Sequence, residues 1–275
     1  MGIPLGLSAS GGVLYATVLG IRRSNSRAEW VLLMWVLPFF ALTGGLYAKF
    51  PRYLLPVTPA LLVFAARLIL VLPVPRIRRA VTAACVGATL LHCLVFLSQY
   101  GRPHPWQDAS EWMAANVPPG AVVAIEEWDH PLPVVGTESY DVRVLPIFEA
   151  DTGVPGARKW AEIESILAEA DYVVLASRRG YGALARWPER YPLTARYYQD
   201  LFRGHLGFEA TACFRRDMRL GPMELVDDPT LSLSFSLPDV CLSRAPVPVR
   251  LRLDESFVVY DHPRVLVFRR VARAD

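Results

Sequence analysis

Residues 47–79 read YAKFPRYLLPVTPALLVFAARLILVLPVPRIRR. The middle of this stretch is apolar over about 20 residues, the length that crosses a hydrocarbon core about 30 Å thick. Cations crowd both of its mouths, Lys49 and Arg52 at one and Arg76, Arg78 and Arg79 at the other, and Pro56 and Pro59 lie inside the run. Its reading decides whether the first third of the chain belongs to a bilayer or to a buried core.

Working outward, four apolar windows appear: roughly Ile3–Ile21, Trp30–Ala48, Tyr53–Pro73 and Ala80–Tyr100. Each approaches spanning length. The first is the weakest, because Ser8, Ser10, Gly11 and Gly12 dilute it, and it lacks the basic start and cleavage site of a signal peptide. The expectation is a membrane domain over residues 1–100 with about four transmembrane helices. Arg22, Arg23 and Arg27 fall in one short break and Arg76, Arg78 and Arg79 in another. The positive-inside rule puts both breaks in the cytoplasm and everything after Tyr100 outside. The protein is therefore expected in the cell membrane, multi-pass, with an extracytoplasmic domain over residues 101–275. Lys49 and Arg52 then stand on the outer side, against the charge bias. Arg67 is read as a snorkelling cation. With Arg67 and His92 the only intramembrane ionisable groups noted, support for a transport function is thin. The 275 residues carry a formal net charge of only +3, and the basic residues are scattered or sit where a bilayer would place them, so nucleic acid is not an expected partner.

The water-facing part has ordinary soluble composition. WQDASEWMAAN reads as a helix, with Asp108 as its cap and Glu111 as the capping-box partner. AVVAIEE and DYVVLAS are short apolar, β-branched runs, and the amphipathic helix ARKWAEIESILAEA lies between them with Trp160, Ile163, Ile166 and Leu167 on one stripe. That order predicts an α/β domain with a mainly parallel sheet. LTARYYQDLF reads as a further helix ending near Gly204 or Gly207, and FEATACFRR and RVLVFRRV as further strands. The Pro-rich segment from Pro222 to Leu253 reads as an irregular β excursion. Cys85 and Cys93 lie in an apolar helix and are read as packing residues. Cys213 and Cys241 fall where a disulfide is permitted, though spacing does not show one.

Ligands of open parallel sheets bind outside the carboxyl ends of the strands. Those ends carry EEWDH, with Glu126, Glu127, Trp128, Asp129 and His130, and SRRGY, with Ser177, Arg178, Arg179, Gly180 and Tyr181. Glu126, Glu127, Asp129, His130, Arg178 and Tyr181 are the candidate ligand-loop residues, suited in chemistry to a sugar or a phosphate. The competing reading makes them solvated loop residues and helix caps. Glu127, Asp129 and His130 form one contiguous turn, which rarely closes a metal shell, so no metal is expected. The chain has no Gly-rich phosphate loop, nucleophile elbow or HExxH pattern, and no cofactor is expected.

KFPRYLLPVTPALLVFAA resembles a late transmembrane segment of the GT-C type polytopic membrane glycosyltransferases, the group that includes the protein mannosyltransferases. ASEWMAANVPPGAVVAIEEWDHPLP, ADYVVLASRRGYGALARWPERYPLTARYYQDLF and DESFVVYDHPRVLVFRR resemble the extracytoplasmic tail of a bacterial and archaeal branch of it. The resemblance covers most of the chain outside the Pro-rich excursion. It implies transfer of a sugar from a polyprenyl-phosphate donor at the external membrane face. In that family the catalytic carboxylate lies in the first external loop, near the start of the full chain. No residue here matches it, so the catalytic residues stay unknown. The chain is expected to be the distal portion of such an enzyme, not catalytic alone, with the lipid bilayer, the donor and a separate N-terminal catalytic chain as partners. Lys49 and Arg52 at the outer mouth, beside Tyr53, then suit the donor's lipid phosphate; simple anchoring to headgroups accounts for them equally well. The alternative is a non-catalytic, membrane-anchored glycan- or partner-binding module.

Overall fold

The computed structural model describes residues 3–21, 27–46, 51–127 and 132–271. The chain divides into two compact units, Met1–Leu97 and Ser98–Asp275. Arg22, Arg23, Lys49, Trp128, Asp129 and His130 lie outside the described residues.

The first unit is helical: α1 (Ile3–Ile21), α2 (Arg27–Gly45), α3 (Thr58–Leu70) and α4 (Pro75–Leu97), with a 3-10 segment, Pro51–Val57, leading into α3. Among the described residues, three helical runs are long and apolar enough to cross a membrane: Arg27–Gly45, Arg52–Leu70 and the one that begins at Pro75. Ile3–Leu19 of α1 is a shorter apolar helix. The residues that dilute α1 have a packing role. A side chain at Gly12 would start 2.1 Å from the carbonyl oxygen of Phe64, so the backbones of α1 and α3 approach as only glycine permits. Ala9 and Ala16 are buried beside it with Leu61, Phe64 and Ala65. Leu7, Leu14, Met34, Leu42, Val86 and Leu90 face outward. Small residues at a helix contact and large apolar ones outside form an arrangement that suits a lipid solvent.

The prolines of the opening stretch kink no α-helix. Pro56 lies in the 3-10 segment and Pro59 in the first turn of α3. A first-turn proline lacks an N–H that has no intrahelical acceptor anyway. Arg67 is no free snorkeller: its Nε pairs with Glu29 of α2. Glu29 stands in the first turn of its helix and Arg67 in the last turn of α3, so each charge also opposes the local helix dipole.

The second unit opens with α5 (Pro105–Asn116), β1 (Val122–Glu126), β2 (Asp141–Leu145), α6 (Gly153–Glu169) and β3 (Tyr172–Leu175). Then follow α7 (Arg179–Ala183), α8 (Pro192–Phe202), β4 (Phe208–Phe214), β5 (Met218–Leu220), β6 (Met223–Asp227), β7 (Val247–Leu251), α9 (Glu255–Val258) and β8 (Val265–Arg270). Five strands form the main sheet in the order β2-β1-β3-β8-β4. β1 runs parallel to β2 and β3, but β8 is antiparallel to both β3 and β4. The sheet is therefore mixed, not mainly parallel. The long excursion between β4 and β8 lets the chain re-enter from the opposite direction, which a short helical crossover does not.

Alternation along the strands builds two apolar layers. Ala124, Val173, Leu175, Leu266 and Phe268 face α6 and α8, through Ile163, Tyr198 and Leu201. Val123, Ile125, Val174, Val265 and Val267 face α5, through Ala109 and Met113. Helix α5 starts earlier than the sequence suggests. His104 is its cap, with Nδ1 accepting from Trp106 N at 3.2 Å, and Pro105 fixes the first turn. Asp108 instead pairs with Arg216, and Glu111 accepts from Gln107 Nε2 at 3.0 Å.

The Pro-rich excursion holds a small second sheet, order β5-β6-β7, with β5 and β6 antiparallel and β6 and β7 parallel. Cys213 of β4 and Cys241 form a disulfide across a sequence separation of 28, tying this excursion to the main sheet.

Candidate functional site

The carboxyl ends of β1 and β3 and the start of β8 converge, because β8 runs antiparallel to β3. They bring together Glu126, Arg178 and Arg264, all buried. The excursion closes over them. Asp227, at the end of β6, takes Arg178 Nε at 3.1 Å, and Arg178 Nη2 donates to Leu253 O at 2.7 Å. Arg264 Nη2 donates to the Asp227 carbonyl, and Leu253 N donates to Asp227 Oδ1 at 3.0 Å. Burial lifts the Asp227 carboxyl above its ordinary range despite Arg178 and Arg264. Next to it, Asp228 is buried and held below that range: burial pushes it up, but the hydrogen bonds from Thr230 and the Arg250 fork outweigh it.

Glu126 accepts a 2.5 Å hydrogen bond from the Tyr198 hydroxyl on α8. Gly180 makes this contact feasible: a side chain there would begin 1.8 Å from the Tyr198 hydroxyl and 2.8 Å from Glu126 Oε2. Tyr181 is fully buried. Its hydroxyl has no hydrogen-bond partner among the described residues, and burial pushes it up to about 12. Glu127 Oε1 accepts from Phe148 N at 2.6 Å and so fastens the segment after β2. Arg179 pairs with Glu255 at 3.2 Å and stacks on Tyr260, 5.3 Å from the ring centre. His262 is buried close by, and burial drives its imidazole down to about 4.

Of the sequence-predicted ligand residues, Glu126, Arg178 and Tyr181 thus come together, but as a closed interior cluster. Glu127 is a strut, and Asp129 and His130 lie outside the described residues. The excursion places its own carboxylate, Asp227, on the strand-end Arg178, because a buried guanidinium left unpaired is costly. Among the described residues no group of three His, Cys, Asp or Glu side chains is placed to hold a metal. In the helical unit, Arg52 is exposed and lies 5.8 Å over the ring of its neighbour Tyr53. Lys49, the third member of that set, lies outside the described residues.

Two features escaped the sequence reading. One is the Glu29–Arg67 pair. The other is Lys159, which is fully buried on α6. Its Nζ reaches Asp151 Oδ1 at 2.6 Å, Ile147 O at 2.8 Å, Glu149 O at 3.0 Å and Thr194 Oγ1 at 3.0 Å. Asp151 also accepts from Thr194 N at 2.8 Å. Burial pushes the Asp151 carboxyl up, yet the hydrogen bonds from Lys159 and Thr194 hold it below its ordinary range. The signal was present: Lys159, Ile163 and Ile166 are spaced i, i+4, i+7, so the cation stands on the apolar stripe.

Comparison with known proteins adds no relative: no family model matches the chain, and neither the curated proteins nor the solved structures give a significant match.

Proposed function

We propose that the chain is the distal part of a membrane glycosyltransferase that uses a polyprenyl-phosphate-linked sugar donor, and that it does not catalyse transfer alone. The observation that carries the second half is the closure of the strand ends. Glu126 is engaged by Tyr198 and Asp227 by Arg178, so neither is presented to a substrate. A glycosyl transfer needs a carboxylate or equivalent base held against its acceptor. The donor reading rests on the resemblance of residues 49–66 and of the tail, supported by an exposed Arg52 beside Tyr53 at the head of an apolar helical run. A multi-pass membrane location is supported by the three long apolar helices and their outward leucines. An extracytoplasmic second unit is supported by the Cys213–Cys241 disulfide, since such bonds persist in oxidising compartments.

The test has two arms. Reporter fusions after residue 100, one active only in the cytoplasm and one only after export, are expected to report export. Purified chain given polyprenyl-phosphate sugar is expected to show no turnover until a separate chain supplying an acidic external loop is added. Turnover by the isolated chain, abolished by mutating one of its own acids, overturns the proposal. The same closure favours a second reading, a membrane-anchored glycan- or partner-binding module. That reading gains if no added chain ever yields turnover while the chain still retains a glycan or a protein.

A further inference from the structure

The excursion carries a second charged feature, which adjoins the closed cluster where Asp227 N donates to Asp217 Oδ1 at 3.3 Å. A cavity of about 480 Å³ lies beside the β5–β6 hairpin, whose turn is made by Gly221 at φ +57. Arg215, Arg219 and Arg244 line it with a single carboxylate, Glu224. Glu224 is buried and fully committed. Its Oε1 accepts from Arg219 Nε at 2.9 Å and Nη2 at 2.7 Å, and its Oε2 accepts from the Ser243 hydroxyl and from Arg215 Nη2 at 3.5 Å. It therefore acts as a post that fixes two guanidinium groups in place. Arg215 is also paired with Asp217.

What remains uncommitted is positive. Arg219 spends Nε and Nη2 on Glu224, and Nη1 has no partner among the described residues. Arg244 is exposed and makes no ion pair or hydrogen bond among the described residues. Arg102 is crowded as well: after burial, Arg219 and Arg216 are the main influences lowering its proton affinity. Of the lining residues, three arginines (215, 219 and 244) stand against Glu224 and the Asp217 paired with Arg215, which leaves one positive charge unbalanced.

We propose that this cavity binds a phosphate group, with Arg219 and Arg244 as its direct ligands and Glu224 as the positioning residue that holds Arg219. Guanidinium forks match phosphate oxygens in shape and charge. A prefixed Arg219 loses little freedom on binding, and Arg244 has no competing partner to surrender. The phosphate has two sources, a phospholipid headgroup or a soluble phosphate ester. The site stands whether or not the chain handles lipid-linked sugars.

The experiment uses the full chain in lipid nanodiscs. In discs of phosphatidylcholine alone, inorganic pyrophosphate is titrated by calorimetry. In a parallel arm, retention of phosphatidylglycerol from mixed detergent micelles is read by native mass spectrometry. Binding in the first arm assigns a soluble ester; retention in the second without pyrophosphate binding assigns a headgroup. In whichever arm binds, Arg244→Ala is expected to weaken binding about tenfold or more. Arg196→Ala, at an exposed arginine remote in sequence, is expected to leave it unchanged. Because Arg244 is exposed and unpaired, its loss does not threaten folding. No binding in either arm, wild-type binding by Arg244→Ala, or an equal loss in Arg196→Ala overturns the site.

Discussion

In the helical unit Gly12 brings the backbone of α1 onto the Phe64 carbonyl of α3, whereas in the α/β unit Gly180 makes room for a hydrogen bond between Tyr198 and Glu126. The first glycine serves contact between main chains, the second serves a buried polar network. The helical unit sets small residues of α1 against Leu61, Phe64 and Ala65, turns large apolar residues outward and buries Glu29, while the α/β unit buries Lys159, Asp151, Glu126, Arg178, Arg264 and Asp228. Such a difference is the one expected of a helical unit in lipid and an α/β unit in water. Where the surroundings are as apolar as the interior, close packing has to supply cohesion. In water, apolar burial supplies it, and the interior can carry charges provided each finds a partner.

The largest expected effect tests that proviso. Lys159→Met leaves Asp151 buried without its cation, and removing one partner of a buried pair costs about 3–5 kcal/mol. Unfolding of the full chain, followed by near-ultraviolet circular dichroism, is expected to show that loss, with much of it recovered in the double variant Lys159→Met, Asp151→Leu. Equal cost in both would mean that the ion pair is not what holds α6 to α8. Replacing Cys213 and Cys241 together by alanine comes next. Loop-closure entropy across their separation is worth about 3–4 kcal/mol. An unchanged unfolding midpoint would mean that the contacts of Asp227 with Arg178 and Arg264 suffice to fasten the excursion.

The third prediction concerns pH. His262 is kept neutral in the fold, with its imidazole pushed from 6.5 down to about 4, chiefly by burial. As pH falls below 6.5 the unfolded chain takes up this proton first, so the folded state loses stability between about pH 6.5 and pH 4. The full loss is about 3 kcal/mol. His262→Gln is expected to flatten that part of the stability profile, and a profile of unchanged slope would remove His262 from the account. The smallest effect is expected in the helical unit. Gly12→Val pushes a side chain into the Phe64 carbonyl, and overpacking costs about 1–3 kcal/mol. A neutral result in detergent unfolding would show that α1 and α3 separate freely, and would break the contrast drawn between the two units.

Much of the α/β unit is legible in the sequence because its signals are local. AVVAIEE and DYVVLAS became β1 and β3, the Trp160–Ile163–Ile166–Leu167 stripe became the buried face of α6, and Gly204 and Gly207 follow α8 with φ of +77 and +74. What failed depended on partners far along the chain. The direction of β8 is set by how the excursion returns, and nothing in RVLVFRRV carries it. The contacts of Glu126 with Tyr198 and of Arg178 with Asp227 were unreadable for the same reason, since these residues meet only after folding. A more general signal was missed three times. Glu29 with Leu33 and Val36, Arg67 with Ala60 and Phe64, and Lys159 with Ile163 and Ile166 each place a charge on an otherwise buried stripe. A charge in that register implies an opposite charge on the facing element, and all three have one.

β8 is synthesised after the other described strands, yet it lies in the interior of the sheet, between β3 and β4. Until residues 265–270 emerge, β3 and β4 each present an unpaired row of backbone groups with nothing to bridge them. The α/β unit therefore cannot complete its sheet while it is being made. A chain cut short before Val265 loses the seam that joins its two halves, and it leaves two open strand flanks ready to pair with the next molecule.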